Sequence, residues 1–84
     1  MKVLKDYHIS KDDIAPQTLY IAKDASIVAV IDDGFDFAII ALCAAHELET
    51  NLRTFQIYGT NEFIYEDNIQ YLGTVGNRHI IEIL

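Results

Sequence analysis

Two runs rich in β-branched and aromatic residues, Ser26-Ile27-Val28-Ala29-Val30-Ile31 and Phe35-Asp36-Phe37-Ala38-Ile39-Ile40-Ala41-Leu42, are separated by Asp32, Asp33 and Gly34. Asp-Gly is the preferred pair for a two-residue type I′ turn, whose twist matches that of the strands it joins. With Asp33-Gly34 as the loop, Val30 is expected to face Phe37 and Val28 to face Ile39. The other side then carries Ile27 opposite Ile40, Ala29 opposite Ala38 and Ile31 opposite Asp36. Both sides are mainly apolar, as in strands covered on two faces. A second layer of the domain can supply one cover and a partner subunit the other. Gly34 is a structural turn residue on this reading, because the turn needs positive φ there.

The rest of the chain reads as further short strands. Val3 to Ile9 and Gln17 to Ala22 flank a loop, Lys11 to Pro16, in which proline restricts the approach to the second strand. Ala44 to Glu49 is a loop with at most one helical turn, since Thr50 and Asn51 interrupt it. Thr54-Phe55-Gln56-Ile57-Tyr58 alternates with period two, which places Phe55 and Ile57 in the core. Thr60 to Gln70 is a polar excursion. Tyr71 to Val75 and His79 to Leu84 form a last hairpin through Gly76-Asn77. The expectation is a single all-β, mainly antiparallel domain over residues 1–84, with six or seven short strands curled into a barrel or a sandwich.

Eighty-four residues enclose one core, and 51% apolar composition is ample for folding. A domain of this size buries only about 60% of its unfolded surface, so association would stabilise it. No run approaches the roughly 20 apolar residues that cross a bilayer. Met1 to Asp6 lacks the apolar stretch of a secretory signal, so a cytoplasmic location is expected and no membrane partner. The single cysteine, Cys43, sits in an apolar run and reads as a small buried hydrophobe. Six scattered Lys and Arg against thirteen Asp and Glu leave a net charge of −7, with no basic footprint for direct nucleic-acid binding. Such acidity serves solubility, or attracts a basic partner.

Two phrases are nearly repeated in the second half, Tyr58-Gly59-Thr60 and Tyr71-Leu72-Gly73-Thr74. Each sets a glycine after apolar strand residues, where a sheet bends, bulges or turns, so Gly59 and Gly73 are read as structural turns or bulges. With Lys5-Asp6-Tyr7 near the start, Ile21-Ala22-Lys23-Asp24-Ala25-Ser26-Ile27-Val28, and Arg53-Thr54-Phe55 leading into Tyr58-Gly59-Thr60, the chain resembles a family of small bacteriophage and bacterial proteins known as a domain of unknown function. The resemblance runs through nearly the whole chain, and its specific part is the paired glycine-threonine phrases. Where the family continues Gly-His-Pro-Ile, this chain has Asn61-Glu62-Phe63-Ile64, and the family's central tryptophan is missing. His79 stands one or two places from the family's terminal-strand histidine. The resemblance implies a phage or prophage origin and a compact β-rich fold, and it implies no activity.

His8, His46 and His79 lie on separate segments without metal-ligand spacing, and His46-Glu47-Leu48-Glu49 lacks the second histidine of the zinc helix. Asp12/Asp13, Asp32/Asp33 and Glu66/Asp67 fall in turns, where aspartate bonds the backbone locally. No nucleophile motif or phosphate loop is present. No enzyme activity, metal or cofactor is expected.

The stretch Glu62-Phe63-Ile64-Tyr65-Glu66-Asp67 sets large apolar residues among acids in a loop. It is either a binding surface, with Tyr65 exposed, or a plug in which Phe63 and Ile64 close a barrel end. Aromatics dominate interface hot spots, so the candidate protein-binding residues are Glu62, Phe63, Tyr65, Glu66 and Asp67, with Glu47 and Glu49 placed beside them. The expected function is a non-enzymatic, phage-type protein that binds and modulates or inhibits a host protein, with factors that handle nucleic acid among the candidates. The alternatives are a self-assembling homo-oligomer, and a small-ligand binder or enzyme using a barrel mouth.

Overall fold

A computed structural model describes residues 1–84 as seven strands and no helix: β1 (Lys2–Ser10), β2 (Gln17–Ala22), β3 (Ser26–Asp32), β4 (Asp36–Ala44), β5 (Thr50–Gly59), β6 (Ile69–Val75) and β7 (Arg78–Ile83). They form two antiparallel sheets, one ordered β1-β4-β3 and the other β2-β5-β7-β6. Alternation along each strand turns Ile9, Phe37 and Ile39 of the first sheet toward Ile21, Phe55, Ile57 and Ile80 of the second, and these seven make the core. The result is a sandwich of two sheets and not a closed barrel. Cys43 is fully buried on the inner side of β4.

The β3–β4 hairpin is built differently from the two-residue turn expected of Asp33-Gly34. Asp32 pairs with Phe37, Ile31 with Ala38 and Val30 with Ile39, a shift of two residues along β4. Asp33 to Asp36 therefore form a four-residue loop. The acidic side chains are the cause: Asp32 Oδ1 accepts from the Gly34 amide at 2.8 Å, and Asp33 Oδ1 accepts from the Phe35 and Asp36 amides at 3.2 and 2.8 Å. These local bonds satisfy the wider turn, while Gly34 still supplies a positive φ of 105°. At the other hairpin Val75 pairs with Arg78 across Gly76-Asn77, and only Gly76 has positive φ, as a type II′ turn requires.

One further expectation changes. Thr50 and Asn51 do not interrupt a loop but begin β5, paired with Ala22 and Ile21. Gly59 is the last residue of β5 and opens a turn through Asn61, rather than bending a continuing strand. Gly73 follows a bulge at Leu72, and β3 carries its own bulge at Val28. The two bulged edge strands lie against each other across the sandwich without pairing, which blunts both exposed edges.

Candidate functional site

β5 and β6 run parallel in their sheet with β7 between them, so the chain must cross β7 to pass from one to the other. Residues 60–68 make that crossing without regular secondary structure, fewer than the dozen or so residues a parallel crossover ordinarily takes. The segment leaves at Gly59, opposite Arg78, and arrives at Ile69, opposite Ile83, where the Leu84 amide donates to the Asn68 carbonyl at 2.9 Å. It thus passes over the outer side of the second sheet. Tyr58 and Ile81 point to that side, yet keep only 7% and 1% of their surface exposed.

Side chains tie the crossing down. The Tyr58 hydroxyl donates to Glu66 Oε2 at 2.9 Å. Burial, with the neighbouring Glu66 carboxylate, pushes the Tyr58 phenol up to about 12. Beside it, His79 Nε2 meets Thr60 Oγ1 at 3.2 Å, and His79 Nδ1 meets the Tyr71 and Thr74 hydroxyls at 3.1 Å each. Tyr71 and Thr74 also bond each other. Thr60, Tyr71 and Thr74 of the two repeated phrases therefore converge around one histidine, while Tyr58 anchors the loop through Glu66. The recurring Tyr and Thr were the signal for the anchor.

The anchored segment displays its apolar residues. Phe63 is 78% and Tyr65 84% exposed, with ring centroids 6.4 Å apart, and Ile64 is partly exposed beside them. Phe63 and Ile64 plug nothing, because the sandwich has no barrel end for them to close. Glu62 and Asp67 are exposed and form no ion pair, whereas Glu66 is engaged by Tyr58 and serves as an anchor.

Glu47 and Glu49 do not join this group. They precede Thr50 at the start of β5, and the crossing loop begins at the strand's far end and returns only to the level of Thr54. Glu49 instead pairs with Lys23 at 3.1 Å, and Glu47 Oε1 accepts from the Glu49 amide. The Thr50-to-Thr54 stretch of β5 thus lies between Glu49 and the nearest end of the crossing loop.

No protein-family model, curated protein or solved structure matches this chain.

Several other polar groups have structural partners. His8 pairs with Asp33 at 2.9 Å and Lys11 with Asp32 at 2.7 Å. The Lys11 bond and the Gly34 amide hold Asp32 below the ordinary carboxylate range, and the Asp36 and Phe35 amides, helped by His8, do the same for Asp33. Arg53 forms a bidentate pair with buried Glu82 on the inner side of the second sheet, at 2.5 and 2.7 Å, and donates to the Ala25 carbonyl. That pairing raises the Arg53 pKa. No group of three or more His, Cys, Asp or Glu is placed to hold a metal ion. Two clefts of about 230 Å³ are present, one lined by Arg53 and Glu82 beside the β3 and β6 edges and the other by Arg78 and Glu62.

Proposed function

We propose that this chain is a non-enzymatic, acidic binding protein of phage type that engages a basic surface on a host protein and thereby modulates or inhibits it. The observation that carries the reading is the Phe63–Tyr65 tip, two exposed aromatic rings between the unpaired carboxylates of Glu62 and Asp67. A segment anchored at Tyr58–Glu66 and at His79 presents those rings with little ordering left to lose on binding. Exposed aromatics supply contact area, and the flanking acids, within a net charge of −7, steer a basic partner into register. Host factors that handle nucleic acid carry basic surfaces of this kind, and the host cytoplasm is where such an encounter would take place. Self-association is the second reading, favoured by the apolar composition of β4. The small-ligand reading has less behind it, since both clefts fall below the roughly 300 Å³ at which ligand pockets begin.

The test is affinity capture from bacterial lysate, followed by binding measurements on the recovered partner with wild type and a Phe63→Ala/Tyr65→Ala variant. Glu66 is left in place, because changing it would release the anchor along with the contact. The double variant should keep the wild-type melting curve and lose about 100-fold or more in affinity. Association with the wild type should slow as salt rises. A partner that binds the double variant with wild-type affinity removes this loop as the site.

A further inference from the structure

Three charged side chains share one cleft, and none of them is paired. The cleft lies where β5 ends and β7 begins, bordered by the β1–β2 loop. Asp12 and Ile14 line it from that loop, Gly59 and Glu62 from the turn that starts the crossing, Arg78 from β7 and Ile57 from the core. Lys11, Lys23 and Arg53 each hold a carboxylate. Arg78 holds none, although two carboxylates line its own cleft. One of its N–H groups donates to the Lys11 carbonyl at 2.6 Å and fixes the guanidinium, and the others have no partner in the chain. Glu62 is brought to the cleft by its backbone. Its amide donates to the Gly59 carbonyl at 3.3 Å, and its Oε1 lies 2.9 Å from the point that a Cβ on Gly59 would occupy. The missing side chain at Gly59 is what leaves room for that carboxylate.

We propose that this cleft binds a free α-amino acid with a cationic side chain, of the lysine or arginine type. The Arg78 guanidinium takes the α-carboxylate through its uncommitted N–H groups, the pairing for which its planar fork is suited. Asp12 and Glu62 take the two positive groups, the α-ammonium and the side-chain cation. Ile14 and Ile57 offer apolar surface to the methylene stem between them. The charge count selects the ligand class. One cation and two carboxylates are complemented by one carboxylate and two cations. A neutral amino acid leaves one carboxylate of the cleft unanswered. An acidic one, or a phosphate, sets more negative charge against Asp12 and Glu62.

At about 230 Å³ the cleft is smaller than the roughly 300 Å³ of sites for drug-sized ligands, which fits a ligand of this size. So few atoms, held beside exposed carboxylates, set the affinity low, with a Kd of about 0.1–1 mM. The site stands apart from the Phe63–Tyr65 tip. Only Glu62 belongs to both, and binding here needs no host protein.

Titration of the whole chain, followed by amide chemical shifts at one fixed ionic strength, tests this with L-lysine, L-norleucine, Nα-acetyl-L-lysine and cadaverine. L-lysine should saturate and move the amides of Asp12, Ile14, Gly59, Glu62 and Arg78. Norleucine lacks the side-chain cation, the acetylated lysine lacks the α-ammonium, and cadaverine lacks the carboxylate. Each should bind about tenfold or more weakly. Cadaverine is the discriminating ligand, because it is the more positive of the two amines. General attraction to a chain of net charge −7 would make it bind more tightly than lysine, and the Arg78 contact predicts the reverse. Asp12→Asn and Glu62→Gln, both at exposed positions, should each weaken lysine binding by about tenfold. Gly59→Ala should do the same by turning Glu62 away, since only that flexible side chain stands in the way of the new methyl group. Melting curves check that each variant is folded. No saturation by lysine at about tenfold above that Kd range overturns the proposal. So does cadaverine or acetylated lysine binding as tightly as lysine, or an Asp12→Asn/Glu62→Gln variant that keeps wild-type affinity.

Discussion

The Val30 Cγ2 methyl lies 2.9 Å from the point that a Cβ on Gly73 would occupy. The bulged edges of the two sheets approach closely here, which accounts for the second glycine of the paired phrases: the position needs the absence of a side chain. Gly73→Ala should destabilise the domain by about 1–3 kcal/mol through overpacking. Val30→Ala removes the opposing methyl, so the double variant should be more stable than the sum of the two singles implies, by about 0.5 kcal/mol or more. Denaturant unfolding of the four proteins checks the coupling.

Arg53 and Glu82 tie β5 to β7 on the inner side of the sheet, with Glu82 almost fully buried. Arg53→Met leaves that carboxylate without its partner and should cost about 3 kcal/mol, the lower end for a broken buried pair because Arg53 keeps part of its surface in water. Replacing both, as Arg53→Met/Glu82→Leu, should recover most of the loss, since the desolvated charge is gone. Equal destabilisation of single and double variants in urea would contradict this account.

Asp32 and Asp33 are held below their ordinary value of 3.8 in the folded loop. Their contribution to stability is complete above that value and is lost as the pH falls through the lower folded values. At neutral pH, Asp32→Asn and Asp33→Asn should each melt below wild type. The gap should close as melting is followed from pH 5 down through pH 3, because the wild type has by then begun to lose the same ionised contacts. A gap of constant size at all pH values would mean that the charge contributes nothing.

Tyr58→Phe keeps the ring under the crossing loop and removes the bond to Glu66. Glu66 can turn to water, so global stability should fall by only about 1 kcal/mol. Amide hydrogen exchange over residues 60–68 should nonetheless accelerate, because the loop opens locally before the sheets do. In wild type the Tyr58 phenol is raised from 10.0 to about 12. Stability should therefore be undisturbed by this group below pH 10 and decline as pH rises from there toward 12, a decline that Tyr58→Phe would lack.

Most of the strands were legible because their information is local. Alternation put Phe55 and Ile57 in the core, and Gly76-Asn77 marked its hairpin. Cys43 likewise reads correctly from its neighbours alone. The β3–β4 register was misread because Asp32 and Asp33 bond backbone amides two and three residues away, and residue type alone did not separate a four-residue loop from a two-residue one. Strand order, the choice of sandwich over barrel, and the route of residues 60–68 across β7 depend on contacts between segments far apart in the chain. Only the tertiary structure could thus separate Glu47 and Glu49 from Phe63 and Tyr65, turn Glu66 from a contact residue into an anchor, and gather Thr60, Tyr71 and Thr74 around His79. Side-chain period says which residues share a face of a strand. Which strands become neighbours, and what lies across their faces, is decided by packing.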